Sequence, residues 1–135
     1  MTSTRVPQQD MNVTRLLPNI CTDLMTETRD FYAELLGFVV GFEHQGWYIQ
    51  MASPIHPQLQ IGIVRRDHAF TPTAFQHPSQ GVIISVQVKN VDAAYTDALK
   101  RGFPIAQELR DEDFGMRRFM VPDPNGLLVN IFSFP

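Results

Sequence analysis

Two stretches of the chain carry the same alternation of polar and apolar positions. Asp23 to Phe38 (DLMTETRDFYAELLGF) and Asn90 to Phe103 (NVDAAYTDALKRGF) each read as a polar cap, a helix with one apolar face, and then Gly-Phe. In the first, Leu24, Thr28, Phe31, Leu35 and Phe38 recur at helical spacing, widened by Tyr32 and Leu36; in the second, Val91, Ala94, Tyr95, Ala98 and Leu99 do so. Asp23 or Thr26 is placed to cap the first helix, because a short side-chain oxygen there accepts hydrogen bonds from the free N–H groups of the first turn. Gly37 and Gly102 follow the last periodic residues, where a left-handed backbone ends a helix.

Short strands frame each helix. Val13 to Cys21 precedes the first, and Pro18, which cannot donate to a ladder, points to an edge or bulged position. Phe38 to His44 and Trp47 to Ala52 follow, joined by the hairpin turn Gln45-Gly46, and Leu59 to Arg65 comes after a connection holding Pro54 and Pro57. Gly81 to Val88 precedes the second helix; Ile105 to Leu109, Met116 to Val121 and Leu127 to Phe134 follow it. Asp123-Pro124-Asn125-Gly126 is a strong turn signal between the last two, since Pro fixes the first central φ while Asn and Gly tolerate the left-handed region.

The order strand-helix-strand-strand-strand therefore occurs twice. It predicts an α+β fold of two βαβββ modules, about residues 13–66 and 81–135, forming a concave mixed sheet within one domain (13–135) behind a flexible N-terminal tail (1–12). The aperiodic segment Asp67 to Gln80 reads as the linker, and it is long enough to hang over a cavity. Each helix covers one face of a sheet and leaves the other free to surround a ligand, which puts the site between the copies.

Composition and charge narrow the partners. With 44% hydrophobic residues among 135, the chain can build a single core. A net charge of -3, with only Arg65-Arg66 and Arg117-Arg118 as basic pairs, gives no surface able to release counterions from a nucleic acid. No apolar run approaches the roughly 20 residues that cross a bilayer, so no membrane partner is expected. The first dozen residues lack the apolar core of a signal peptide and Cys21 has no second cysteine to pair with; both point to a cytoplasmic protein.

The element order, together with FYAELLGF, VKNVDAAYTDALKRG and the terminal FMVPDPNGLLVNIF, resembles the vicinal oxygen chelate superfamily, which includes glyoxalase I, bleomycin resistance proteins, fosfomycin-modifying enzymes and extradiol dioxygenases. The resemblance covers about Arg15 to Phe134 and implies paired βαβββ modules, commonly a homodimer, with pockets lined by concave strands. Metal-dependent members carry His, Glu or Gln at four strand positions. Carried over one at a time, these fall on Leu16, counted back from Asp23, then on Gln60 in LQIGIV, on Ile83 in GVIISVQV, and on Asn130, four residues beyond the Gly of the DPNG turn. Two amides and two aliphatic side chains are a poor ligand set for a divalent cation, and the neighbours Leu17, Leu59, Ile84 and Val129 are no better. The expectation is no metal and no other cofactor.

The histidines His44, His56, His68 and His77 lack the i, i+4 spacing of a helical metal site and read as surface or loop residues, with His44 at a strand end near the cavity. Asp111-Glu112-Asp113 reads as a solvated connection, and Cys21 as a small thiol without an activating partner. The positive signal for binding is aromatic: Phe42, Trp47, Tyr48, Phe114, Phe119 and Phe132 lie on or beside strands. By alternation, Leu128, Asn130 and Phe132 share one face, opposite Val129 and Ile131, and Gln60, Gly62 and Ser85 face inward. The candidate ligand-binding set is Gln60, Ser85, Asn130, Trp47, Phe132, Phe114, Arg118 and His44, with Arg118 or Arg117 orienting an anionic or carbonyl group; no catalytic residue is assigned. The function expected is metal-free sequestration of an aromatic or apolar small molecule, similar to the bleomycin resistance branch. The alternatives are a lyase or dioxygenase with an atypical metal site, and a metal-free isomerase using His44 or an acid as base.

Overall fold

The structure, a computed structural model, describes residues 11–135. Of the tail read over residues 1–12, all but Met11 and Asn12 lies outside the described residues. The first module runs β1 (Asn19–Thr22), α1 (Met25–Leu36), β2 (Val39–His44), β3 (Tyr48–Ala52) and β4 (Gln60–Arg65); the second runs β5 (Ile83–Gln87), α2 (Val91–Lys100), β6 (Gln107–Asp111), β7 (Arg117–Pro122) and β8 (Leu128–Ser133). The strand orders are β1-β4-β3-β2 and β5-β8-β7-β6. In each sheet the strand before the helix lies parallel to the last strand, and the other pairs are antiparallel. The two modules thus have one topology, the paired βαβββ arrangement that the sequence predicts.

Local chemistry explains where the elements start. Extended pairing begins only at Asn19 rather than at Val13, because Pro18 has no N–H to offer; its carbonyl instead accepts the Gly62 N–H at 2.7 Å. Neither Asp23 nor Thr26 caps α1. The buried Thr22 hydroxyl takes the Leu24 N–H (2.8 Å), while Asp23 turns outward to Arg66 (2.8 Å). Gly37, at φ 73°, closes that helix in the left-handed region. Asn90 caps α2 through the Ala93 N–H at 3.0 Å.

One apolar core joins the modules. Ile20, Ile49, Met51, Ile61 and Ile63 lie under α1, where Tyr32 is fully buried; Phe119, Val121, Val129 and Ile131 lie under α2 with Val91 and Ala98. Each of the Val, Ile, Met and Phe side chains among them contributes about 1.5–3 kcal/mol on leaving water. Val129 and Ile131 face the helix, which turns Leu128, Asn130 and Phe132 to the other face, as alternation requires.

The Asp123–Gly126 turn does more than reverse the chain. Asp123 Oδ1 accepts the N–H groups of Asn125 (2.8 Å) and Leu127 (2.9 Å), and its Oδ2 accepts the Tyr32 hydroxyl of the first module at 2.8 Å. Asn125 accepts from the Thr22 hydroxyl (2.5 Å) and donates to Thr28 Oγ1 (3.0 Å). Thr22, Thr28 and Tyr32 are all buried, so the turn satisfies polar groups that burial would otherwise penalise. Among the described residues, no helix is long and apolar enough to cross a membrane.

Candidate functional site

The face of the first sheet turned away from α1 carries an aromatic pocket of about 460 Å³, lined by Leu17, Asn19, Phe42, His44, Trp47, Tyr48 and Phe70. The β2–β3 hairpin builds one wall. Gln45 and Gly46 both take positive φ (47° and 75°), which suits the twist of the strands and sets Trp47 just before β3, with His44 one strand across. Neighbouring rings follow one another closely: Trp47 to Tyr48 at 5.7 Å, Tyr48 to Phe42 at 6.2 Å, and Phe70 to Trp47 at 5.5 Å. At these centroid distances the rings touch side by side and form a wall, not a cage.

The linker supplies the far side. His68 lies flat on Trp47, with ring centres 3.7 Å apart and planes within 2°. The Phe70 N–H donates to His68 Nδ1 at 2.9 Å, so the bend that carries Phe70 to the pocket is fixed by the stacked imidazole. The pocket floor depends on Gly62. A Cβ there would stand 1.8 Å from Asn19 Oδ1 and 3.2 Å from the Tyr48 hydroxyl, so only glycine lets the Asn19 amide lie across β4.

The second sheet presents a polar cluster. Asn130 Nδ2 donates to Ser85 Oγ at 3.1 Å, and Arg118 donates to Asn130 Oδ1 at 3.4 Å. Arg118 Nε also donates to Glu112 at 2.5 Å, and this hydrogen bond holds the Glu112 carboxyl below the usual carboxylate range. Glu112 is therefore not part of a free solvated run; with Arg110 and Arg118 it clamps the β6–β7 connection. Arg117 turns to Asp92 and Asp111 and takes no part in the cluster.

The candidate residues fall into separate places. Trp47 and His44 line the aromatic pocket; Ser85, Asn130 and Arg118 form the polar cluster; Gln60 and Ser85 both border a cleft of about 340 Å³ at the seam between the modules. Phe132 pairs with Arg118 across the β7–β8 ladder and meets Phe134 edge-on at 5.6 Å. Phe114, at the β6–β7 turn, is 67% exposed and lines neither the pocket nor the cleft. Phe119 is fully buried against Tyr95 and belongs to the core. Asn19 and Phe70 complete the pocket from positions that periodicity does not single out, and His68 backs it by stacking on Trp47. The available signal for His68 and Phe70 was only the length of the linker.

The four metal-ligand positions do not fit a cation. Leu16 is 78% exposed, and it is its neighbour Leu17 that lines the pocket; neither has a donor atom, nor does Ile83. The two amide oxygens are already taken by guanidinium groups: Gln60 Oε1 accepts from Arg15 Nε at 2.6 Å, and Asn130 Oδ1 from Arg118. A divalent ion would have to displace both positive charges. Burial pushes the Cys21 thiol up, which leaves little of the thiolate that a nucleophile needs.

The model of the Glyoxalase/Bleomycin resistance protein/Dioxygenase superfamily matches residues 13–131. No curated protein matches the chain. Among solved structures, TnmS3, an antibiotic binding protein from a Streptomyces species, superimposes with a TM-score of 0.72 at 20% identity, covering 91% of this chain and 97% of its own. A member of the same superfamily from Sphaerobacter thermophilus gives 0.72 at 20% identity over 90% of this chain and 97% of its own. A lactoylglutathione lyase from Agrobacterium tumefaciens gives 0.69 at 13% identity over 89% and 92%. At these identities the likeness shows the fold.

Proposed function

Because the chain belongs to the Glyoxalase/Bleomycin resistance protein/Dioxygenase superfamily, a fold that serves both binding and catalysis, we propose from its own site residues that it binds a planar aromatic small molecule without metal and holds it unchanged. The observation that carries this reading is the wall formed by Trp47, Tyr48, Phe42 and Phe70, with no Asp, Glu, Lys or Arg lining the pocket among the described residues. Such a surface favours a flat, uncharged ring system held by stacking, with the Asn19 amide available for one oriented hydrogen bond. The similarity to an antibiotic binding protein supports the same class of function, and the donor-poor ligand positions support the absence of a metal.

We also infer a homodimer. Phe42 and Ile83 are more than half exposed on the open faces, and every residue of the edge strand β2, including Val39 and Val40, is exposed. A second copy would cover this apolar surface and the unpaired strand edge. Light scattering on the full chain at micromolar concentration is expected to give twice the 15.4 kDa chain mass; a stable monomer would remove this part of the reading.

Trp47 is the only tryptophan, so its emission reports the pocket directly. Titration with uncharged polycyclic quinones is expected to quench it saturably, with Phe70→Ala weakening the response and chromatography recovering the quinone unaltered. A linear, unsaturable response would remove the binding reading. Saturable binding with steady conversion of the compound would replace sequestration by catalysis.

A further inference from the structure

A second cavity system lies away from the aromatic wall and follows the seam between the modules. Its inner arm, about 240 Å³, runs between Leu35 and Leu36 of α1 and Ala94 and Ala98 of α2, past Phe38 and over Ile131. The 340 Å³ cleft that reaches Gln60 and Ser85 is its second arm, for the two share Leu36, Phe38, Leu59, Val86 and Gln87. A third recess, about 520 Å³, opens to solvent beside His56, Gln58 and Lys89. Leu59 and Gln87 border all three, so the recesses lie side by side around these two side chains.

The two ends of this system differ in chemistry. Among the described residues Phe38 is the only aromatic ring lining either inner arm, and the other apolar walls are aliphatic or proline. Asp97, a carboxylate on the inner arm, is engaged by Arg101 at 3.0 Å. Among the described residues the outer recess is lined by a lysine and a histidine and by no carboxylate. Among the described residues every ion pair is made by an arginine, and none uses Lys89.

From this polarity we propose that the seam is a second binding site, for an aliphatic carboxylate of medium chain length, with its chain in the inner arms and its carboxylate at Lys89. The aliphatic walls recover transfer free energy from a flexible chain as they would from a leucine side chain. They offer little to a ring, which finds its stacking partners at Trp47 instead. Lys89 gives the head group a charge-assisted hydrogen bond at the solvent-facing end, where an anion keeps much of its hydration. The site does not depend on what the aromatic pocket binds.

Decanoate and decanol are the probes. In calorimetric titrations of the full chain near pH 7.5, decanoate is expected to bind saturably while Trp47 emission stays unchanged. Lys89→Glu, on the surface, is expected to weaken decanoate about tenfold, the effect of about 1.4 kcal/mol, and to leave decanol within about twofold. Ala94→Phe, which fills the inner arm, is expected to weaken both; should that variant not fold, the paired titrations of Lys89→Glu still decide. No saturable heat with decanoate would overturn the proposal, as would equal loss of decanoate and decanol in Lys89→Glu. Quenching of Trp47 would overturn it by moving the chain into the aromatic pocket. Dissociation of a dimer by decanoate would also overturn it, by showing that a second copy occupies the seam.

Discussion

The imidazole of His68 lies 3.7 Å from the indole of Trp47 and parallel to it within 2°. The two come from different modes of chain, one from an aperiodic linker and one from a hairpin, and their stack joins the linker to the pocket. His68→Ala replaces that contact with water, so Trp47 emission is expected to shift to longer wavelength, and Phe70 loses the acceptor that fixes its backbone. Affinity for a planar ligand should fall by about 3–10-fold, the scale of one aromatic contact. An unchanged emission spectrum would show that the stack is not kept in solution.

Tyr32→Phe removes the hydroxyl that bridges the modules to Asp123. Asp123 is only 6% exposed and keeps its two backbone partners, so the expected loss is about 1–3 kcal/mol in denaturant unfolding.

Alkali tests the same contact from the other side. Burial first, then the charge of Asp123 and the hydrogen bond to it, push the Tyr32 hydroxyl above its ordinary value of 10.0. The unfolded chain then releases this proton at lower pH than the folded one. Stability from this group is complete below about pH 10 and declines as pH rises above it. Unfolding midpoints measured from pH 9 to 11 should fall for the wild type by a component that Tyr32→Phe lacks.

Gly62→Ala places a methyl group where Asn19 Oδ1 now lies. The expected cost is about 1–3 kcal/mol, with loss of the oriented amide from the pocket. The double variant with Asn19→Ala should recover part of that cost; strict additivity in the cycle would show that the amide had already moved aside.

After exposure to manganese, iron, nickel or zinc and desalting, the wild type is expected to retain no stoichiometric metal in elemental analysis. Leu17→His alone should not change that result, because the amide oxygens of Gln60 and Asn130 stay bound to Arg15 and Arg118.

Helix faces, hairpin turns and strand alternation were legible because each rests on a local period or on a residue with few backbone choices, as at Gln45-Gly46 and Asp123 to Gly126. The start of β1 was not, since the apolar residues Val13, Leu16 and Leu17 imitate a strand that Pro18 prevents from pairing. The absence of a side-chain cap on α1 was hidden by the more obvious Asp23, whose carboxylate finds Arg66, a partner distant in sequence, while Thr22 takes the N–H of Leu24 just before the helix. The division of the site into an aromatic pocket and a polar cluster was also hidden. Asn19 and Phe70 reach the pocket, and His68 reaches Trp47, through tertiary contacts that leave no periodic trace.

The turn from Asp123 to Gly126 makes the duplicated halves of the chain unequal. Both modules close their last two strands similarly, the Ser53 N–H bonding to the Leu59 carbonyl at 3.0 Å and the Asp123 N–H to the Leu127 carbonyl at 2.8 Å. The second of these loops also completes the hydrogen bonding of Thr22, Thr28 and Tyr32 in the first half. Separated from residues 81–135, the first half would have to fold around three buried polar groups without those partners. Copies that repeat one topology have thereby become mutually dependent, and the chain is expected to melt in a single cooperative step.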